Sequence, residues 1–173
     1  IEQVDTLSDI ATSFSAFAKM PIPKEERFDV AEVLRQTTNL YGTDPTVRLE
    51  TDIGEKNCPV KGDAQLMSRI FTNLIINGIQ SVPEGRQPHI GVSLHRQNGH
   101  VIVTVADNGT GIPDTIQAKV FLPHFSTKAT GSGIGLAVAK RGVEHAGGQI
   151  WFETAAGKGT TFYVQLPVVH SET

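Results

Sequence analysis

A single cysteine, Cys58, stands in this chain of 173 residues, so neither an intramolecular disulfide nor a cysteine-based zinc site can form. That poverty suits a reducing compartment, and the cytoplasm is the expected location. No run of basic residues stands out, and a net charge of −3 gives no general pull toward anionic polymers or lipids. Nucleic acid is therefore not an expected partner. No apolar run approaches the roughly 20 residues needed to span a bilayer, and the opening segment, with Glu2, Asp5 and Asp9, lacks the basic start of a signal peptide. Any membrane anchor would have to come from segments upstream. Neither G-x-x-x-x-G-K-[ST] nor G-x-G-x-x-G occurs, which excludes two phosphate-binding designs as motifs. What remains is a chain with 39% hydrophobic residues, enough for one domain with a core and a short appendage.

From Ile1 to about Met20, Val4, Leu7, Ala11, Phe14 and Ala18 recur at spacings of three and four, the pattern of a helix with one apolar seam. Pro21-Ile22-Pro23 ends it and marks a domain border near residues 21 to 25. Either the seam lies on the rest of the domain, or the segment is half of a helical hairpin; the proline stop favours the second. Beyond the border the pattern predicts a short strand at Arg27–Val30, a helix from Val30 to Tyr41 and a strand from Val47 to Thr51. A central helix is predicted from Asp63 to Val82, with Asp63 as N-cap and Leu66, Ile70, Leu74 and Ile75 on its apolar face. Two β-branched runs, His89–His95 and Val101–Ala106, join across Asn98-Gly99 as a hairpin. Gly135 to about Ala146 reads as a helix stopped by Gly147-Gly148, and Gln149–Thr154 with Thr160–Leu166 as a last hairpin. Helical patterns against a sheet of hairpins predict an α+β two-layer sandwich.

Three features carry chemistry. Asn73 and Asn77, four apart, emerge on one face of the central helix, where asparagine is a poor helix former and a buried amide is costly unless paired. Alone they read as internally bonded or solvent-facing amides; the alternative is that an amide oxygen holds Mg²⁺. Asp107-Asn108-Gly109-Thr110-Gly111-Ile112 follows a strand, and Asn-Gly there is most often just a turn. A second glycine followed by Ile112 would, however, let the backbone approach a flat ligand closely, with Asp107 able to accept from an amino group. Gly131, Gly133 and Gly135 lead into a helix, so backbone N–H groups can hold phosphate oxygens, a flexible linker being the competing reading. Phe121 to Lys128 lies between these features, and Lys128 is the nearest cation to the glycine loop.

Taken in order, these segments resemble the nucleotide-binding boxes of the ATPase-kinase superfamily shared by histidine kinases, DNA gyrase, one class of heat-shock chaperones and the MutL repair proteins. The asparagine box is Asn73 to Gly78, the first glycine box Asp107-x-Gly109-x-Gly111-Ile112, and the phenylalanine box Phe121 to Lys128. The second glycine box is Gly131-x-Gly133-Ile134-Gly135-Leu136-Ala137, and the last is Gly157-x-Gly159-Thr160-Thr161-Phe162. The ending Ser126-Thr127-Lys128 resembles the sensor histidine kinase branch. In the ATP-hydrolysing branches a glutamate four residues before the metal-binding asparagine activates water; Asn73 stands there instead, and an amide cannot be a general base.

The resemblance implies a mixed sheet covered by helices on one face, residues 23–170 as a catalytic ATP-binding domain, and residues 1–22 as the closing helix of a truncated dimerisation hairpin. It implies ATP and Mg²⁺ as cofactors, Asn77 as the main Mg²⁺ ligand, Asn73 near metal and phosphates, Asp107 on the adenine amino group and Thr160 supporting Asp107. Gly109, Gly111, Ile112 and Leu136 would line the nucleotide. Phe125 to Gly133 would be a lid whose Thr127, Lys128, Gly131 and Gly133, with Gly135, meet the phosphates, Lys128 joining Asn73 at the transferred group. The short lid and Phe14–Pro21 resemble kinases of the nitrogen-regulation type. The implied partners are a dimerisation hairpin of the same full-length chain, in a homodimer, and the receiver domain of a response regulator. None of His89, His95, His100, His124, His145 and His170 is followed by an acidic residue, as a phosphoacceptor histidine usually is, so this chain is expected to bind ATP without phosphorylating itself. A serine protein kinase of the anti-sigma type shares the boxes and is the alternative; a pseudokinase scaffold is the third reading. Gly78 and His124 depart from the family pattern, which usually has alanine and phenylalanine there.

Overall fold

A computed structural model describes residues 22–54, 57–123 and 135–170. The helix expected over residues 1–20 lies outside them. The elements run β1 (Glu26–Asp29), α1 (Val30–Tyr41), β2 (Arg48–Ile53), β3 (Pro59–Gly62), α2 (Ala64–Gln80), β4 (His89–Gln97), β5 (His100–Ala106), a 3₁₀ turn (Gln117–Lys119), α3 (Gly135–His145), β6 (Gln149–Ala155) and β7 (Gly159–Pro167). Both described helices that follow a strand begin on an aspartate cap. Asp29 Oδ1 accepts from Ala31 N at 3.0 Å and from Cys58 N at 2.8 Å, which fixes the start of α1 against the entry to β3. Asp63 Oδ1 accepts from Leu66 N at 3.1 Å and so caps α2 as its sequence context predicts.

Five strands form a mixed sheet in the order β2-β4-β5-β7-β6, and β1 pairs with β3 in a separate antiparallel ribbon. Strand β2 runs parallel to β4, from Arg48 opposite His89 to Ile53 opposite Leu94; every other pairing is antiparallel. Pattern alone reads as a sheet of hairpins; this parallel edge makes the sheet mixed, as the resemblance implies, because β2 and β4 are joined by a crossover through α2 and not by a tight turn. Strand β3 is a second addition to the sequence reading.

Alternation along the strands sends Ile90, Val92, Leu94, Val101, Val103, Val105, Phe162, Val164 and Leu166 to one buried face. Against it lie the three described helices, with α2 between the other two and above β4 and β5, α1 over β2, and α3 over β6. Met67, Ile70, Phe71, Leu74 and Ile75 of α2 are fully or almost fully buried, which makes this helix the centre of the core. Close approach of α3 to α2 depends on Gly142, since a Cβ there would fall 2.8 Å from Ile70 Cδ1 and 3.0 Å from Leu66 Cδ2. The outcome is the two-layer α+β sandwich, with the helices on one face of the sheet. Among the described residues no helix is long and apolar enough to cross a membrane.

Candidate functional site

At one end of the sandwich β5 ends, β7 begins, and α2 reaches its C-terminus. Asp107 follows β5 directly and is bound to the start of β7 through its backbone, its N–H donating to Thr160 O at 2.9 Å. Its carboxylate is oriented as well: Oδ1 accepts from Gly109 N at 2.8 Å and from Thr160 N at 3.2 Å. Two N–H donors on one oxygen fix the orientation of the carboxylate. Thr160 thus supports Asp107 through its main chain, while its buried hydroxyl pairs with Thr154 Oγ1 at 2.9 Å.

The turn after Asp107 is pressed against two elements, and its glycines are what permit this. A Cβ on Gly109 would lie 2.1 Å from Ser81 Oγ, at the C-cap of α2. Gly111 has φ +81, and a Cβ there would lie 2.6 Å from Ala155 O, at the end of β6. Hydrogen bonds close both contacts. Thr110 N donates to Ser81 O at 3.2 Å, Gly157 N donates to Thr110 O at 2.9 Å, and Ile112 N donates to Thr154 Oγ1 at 2.8 Å. Asn108 serves the flanking loop: its side chain accepts from His89 N at 2.8 Å and donates to Gln87 O at 3.0 Å.

Helix α2 brings its two asparagines to the same end. Asn73 and Asn77 are half-buried, one turn apart. Gly78, next to Asn77, lies against Asp107: a Cβ there would sit 3.2 Å from Asp107 Cβ and 3.0 Å from Ile90 Cδ1. The departure from alanine at this position therefore lies directly beneath the aspartate. Gly135, the first residue of α3, faces Asn73, with the direction of its absent Cβ ending 3.5 Å from Asn73 Nδ2. The N–H-rich start of α3 and the asparagines of α2 are thus neighbours, and Leu136 and Ile112 pack at the border of the core.

Phe121 anchors the chain where the phenylalanine box begins. Its ring lies 6.0 Å from that of Phe152 and 6.4 Å from that of Phe162, and Lys140 Nζ stands 5.8 Å from its centroid. Phe125, Thr127, Lys128, Gly131, Ser132, Gly133 and Ile134 lie outside the described residues, as does His124. Of the expected site residues, Asn73, Asn77, Asp107, Gly109, Gly111, Ile112, Gly135, Leu136 and Thr160 are brought to one end of the fold. Sequence reasoning missed Ser81 and Thr154. A signal for Thr154 was available, because pairing the last hairpin symmetrically across its glycine turn puts Thr154 opposite Thr160 on one face.

The site can be set beside known proteins. The chain is 32% identical over 172 residues to sporulation kinase B of Bacillus subtilis (strain 168), which covers 96% of this chain and 39% of that protein. It is 31% identical over 173 residues to nitrogen regulation protein NtrY of Azorhizobium caulinodans, covering 96% of this chain and 22% of that one. The chain therefore spans about two fifths or less of the length of these relatives. The fold superposes on the catalytic domain of histidine kinase ThkA with a TM-score of 0.73 and 25% identity, over 84% of this chain and 96% of that one. With the mycobacterial sensor histidine kinase MprB the TM-score is 0.72 and the identity 27%, over 83% of this chain and 97% of the other. The two structural neighbours are histidine kinases, and the ThkA match is to its catalytic domain. Residues 62–170, which contain every described residue of the site, match the model of the histidine kinase-, DNA gyrase B-, and HSP90-like ATPases, and the chain belongs to that family.

Proposed function

We propose that residues 23–170 bind Mg-ATP and transfer its γ-phosphoryl group to a histidine on a dimerisation hairpin of the same full-length protein, residues 1–22 being the close of that hairpin. From that histidine the group would pass to an aspartate in the receiver domain of a response regulator. The observation that carries the proposal is the convergence at one end of the sandwich of an oriented carboxylate, Asp107, two half-buried amides, Asn73 and Asn77, and the start of α3. Each suits a different part of the nucleotide. Asp107 would accept from the adenine amino group, with Gly109, Gly111 and Ile112 as the wall against the base. The N–H groups at the start of α3, from Gly135 and Leu136, are suited to phosphate oxygens.

The amide oxygens of Asn77 and Asn73 fit Mg²⁺, a hard ion that prefers oxygen ligands shared with phosphates and water. Bound there, the metal would neutralise charge on the phosphates. Lys128 and Thr127, with Gly131 and Gly133, would add a cation and N–H donors from the lid. Transfer forms an N–P bond to the acceptor imidazole as the bond from γ-phosphorus to the leaving oxygen of ADP breaks. Asn73 withholds a general base from water, so hydrolysis does not compete as it does where glutamate holds that position.

Incubation with γ-labelled ATP and Mg²⁺, with and without a separately supplied dimerisation hairpin from the full-length protein, tests this. Acid-labile phosphohistidine on the hairpin, and none on the chain alone, is the expected result. Acid-stable phosphoserine would assign the chain to the serine kinase alternative, and stoichiometric label on the chain alone would refute transfer to a separate helix.

A further inference from the structure

Thr154 belongs to none of the nucleotide-binding boxes, yet its hydroxyl is where the two ends of the Asp107–Ile112 turn meet. Oγ1 accepts from Ile112 N at 2.8 Å, donates to Gly159 O at 3.2 Å and lies 2.9 Å from Thr160 Oγ1. A hydroxyl has one hydrogen to give and two lone pairs to receive with. With the Thr154 hydrogen spent on Gly159 O, the hydrogen in the contact with Thr160 is that of Thr160. The Thr154 oxygen is then filled on all three sides. Thr160 in turn holds Asp107, through its N–H to Oδ1 at 3.2 Å and its carbonyl to Asp107 N at 2.9 Å. Ile112, at the far end of the turn, depends on Thr154 itself. Between them Gly111 leaves no slack, because a Cβ there would lie 3.2 Å from Thr154 Oγ1 and 2.6 Å from Ala155 O.

We propose that Thr154 is a positioning residue for nucleotide binding: its hydroxyl sets Ile112 and, through Thr160, Asp107 in register with each other, so that the wall and the acceptor meet one flat base together. This rests on the reading of the site as an ATP site. Thr154→Val keeps the shape but removes the acceptor, leaving the Ile112 N–H and the Thr160 O–H without their partner, whereas Thr154→Ser keeps the hydroxyl. A residue needed only for folding would lower stability without touching affinity, and serine would gain nothing over valine in binding.

Calorimetric titration of wild type, Thr154→Ser and Thr154→Val with a non-hydrolysable ATP analogue and Mg²⁺ tests the proposal, together with hydrogen exchange at the Ile112 amide. The expected result is affinity weakened about tenfold or more in the valine variant and within about threefold of wild type in the serine variant, a scale set by the part-buried donors left unpaired. Exchange at Ile112 should speed up in the valine variant alone. If Thr154→Val does not fold, Thr154→Ala takes its place with the same expected loss. Valine or alanine variants that bind within threefold of wild type would overturn the role of Thr154 and leave the ATP site standing. Failure of the wild type itself to bind the analogue would overturn the ATP site, and this proposal with it.

Discussion

Gly78 is the residue at which helix stability and site geometry pull in opposite directions. In a helix interior glycine costs about 1 kcal/mol relative to alanine, yet this one lies buried in the last turn of α2, which ends at Gln80. The reason is visible beneath it: an added methyl would press on Ile90 Cδ1 at 3.0 Å and Asp107 Cβ at 3.2 Å. The isoleucine can turn its terminal methyl away. Asp107 cannot move so easily, being held through its own N–H and through two bonds to Oδ1. Gly78→Ala is therefore expected to change unfolding free energy by less than about 1 kcal/mol, the helix gain being offset by crowding, and to weaken binding of an ATP analogue severalfold. Urea unfolding and calorimetry on the same protein check both halves; a full gain in stability with unchanged binding would contradict the crowding. From sequence, Gly78 is only a weak spot in a helix. Its purpose depends on a contact with a residue about 30 positions away, which no local pattern carries.

Elements with their own periodicity were legible, and the predicted α1 coincides with the observed helix. Asp63 was readable as a cap for the same local reason. Burial raises the carboxyl of Asp63, but the N–H groups of Lys24, Leu66 and Gln65 and the charge of Lys24 outweigh it and hold it below its ordinary value of 3.8. The sign follows: a lowered folded value means that the charge stabilises the fold above the unfolded value and that this contribution disappears as pH falls through the lower, folded one. Asp63→Ala should cost about 1 kcal/mol at pH 7 and leave ATP-analogue binding unchanged, since the cap is at the end of α2 away from the asparagines. Asp63→Asn, which still caps, should approach wild type in urea unfolding as pH drops below about 4. Strand β3 was not legible, because four residues, Pro59–Gly62, pair with a strand about 30 residues earlier and show no alternation long enough to read. The parallel edge, implied only by the resemblance to a mixed sheet, has a local signal too: a helix between two strands is how parallel neighbours are joined.

At the scale of the whole molecule, one helix does two tasks. The buried face of α2 centres the core, and its other side carries Asn73 and Asn77 to the end where Asp107 and the start of α3 meet. The order of the boxes along the chain pointed to this convergence: among the described residues the asparagine box lies in the second half of α2, the first glycine box follows β5 and the last one joins β6 to β7. The support of Asp107 by Thr160 was expected from the resemblance, and the pairing of Thr154 with Thr160 could be read from the hairpin; hidden from sequence was the fastening of the turn to Ser81, since single hydrogen bonds across the fold leave no period or motif. The central claim is that the Asp107 carboxylate recognises the nucleotide. Titrating wild type and Asp107→Asn with a non-hydrolysable ATP analogue and Mg²⁺ tests it most directly, because the substitution keeps the size of the side chain and replaces a charged acceptor. One-to-one binding by wild type, reduced at least about a hundredfold in the variant, is predicted for the loss of a charge-assisted bond and its replacement by a clashing amide; equal affinity of the two proteins, or no binding by wild type, would contradict it.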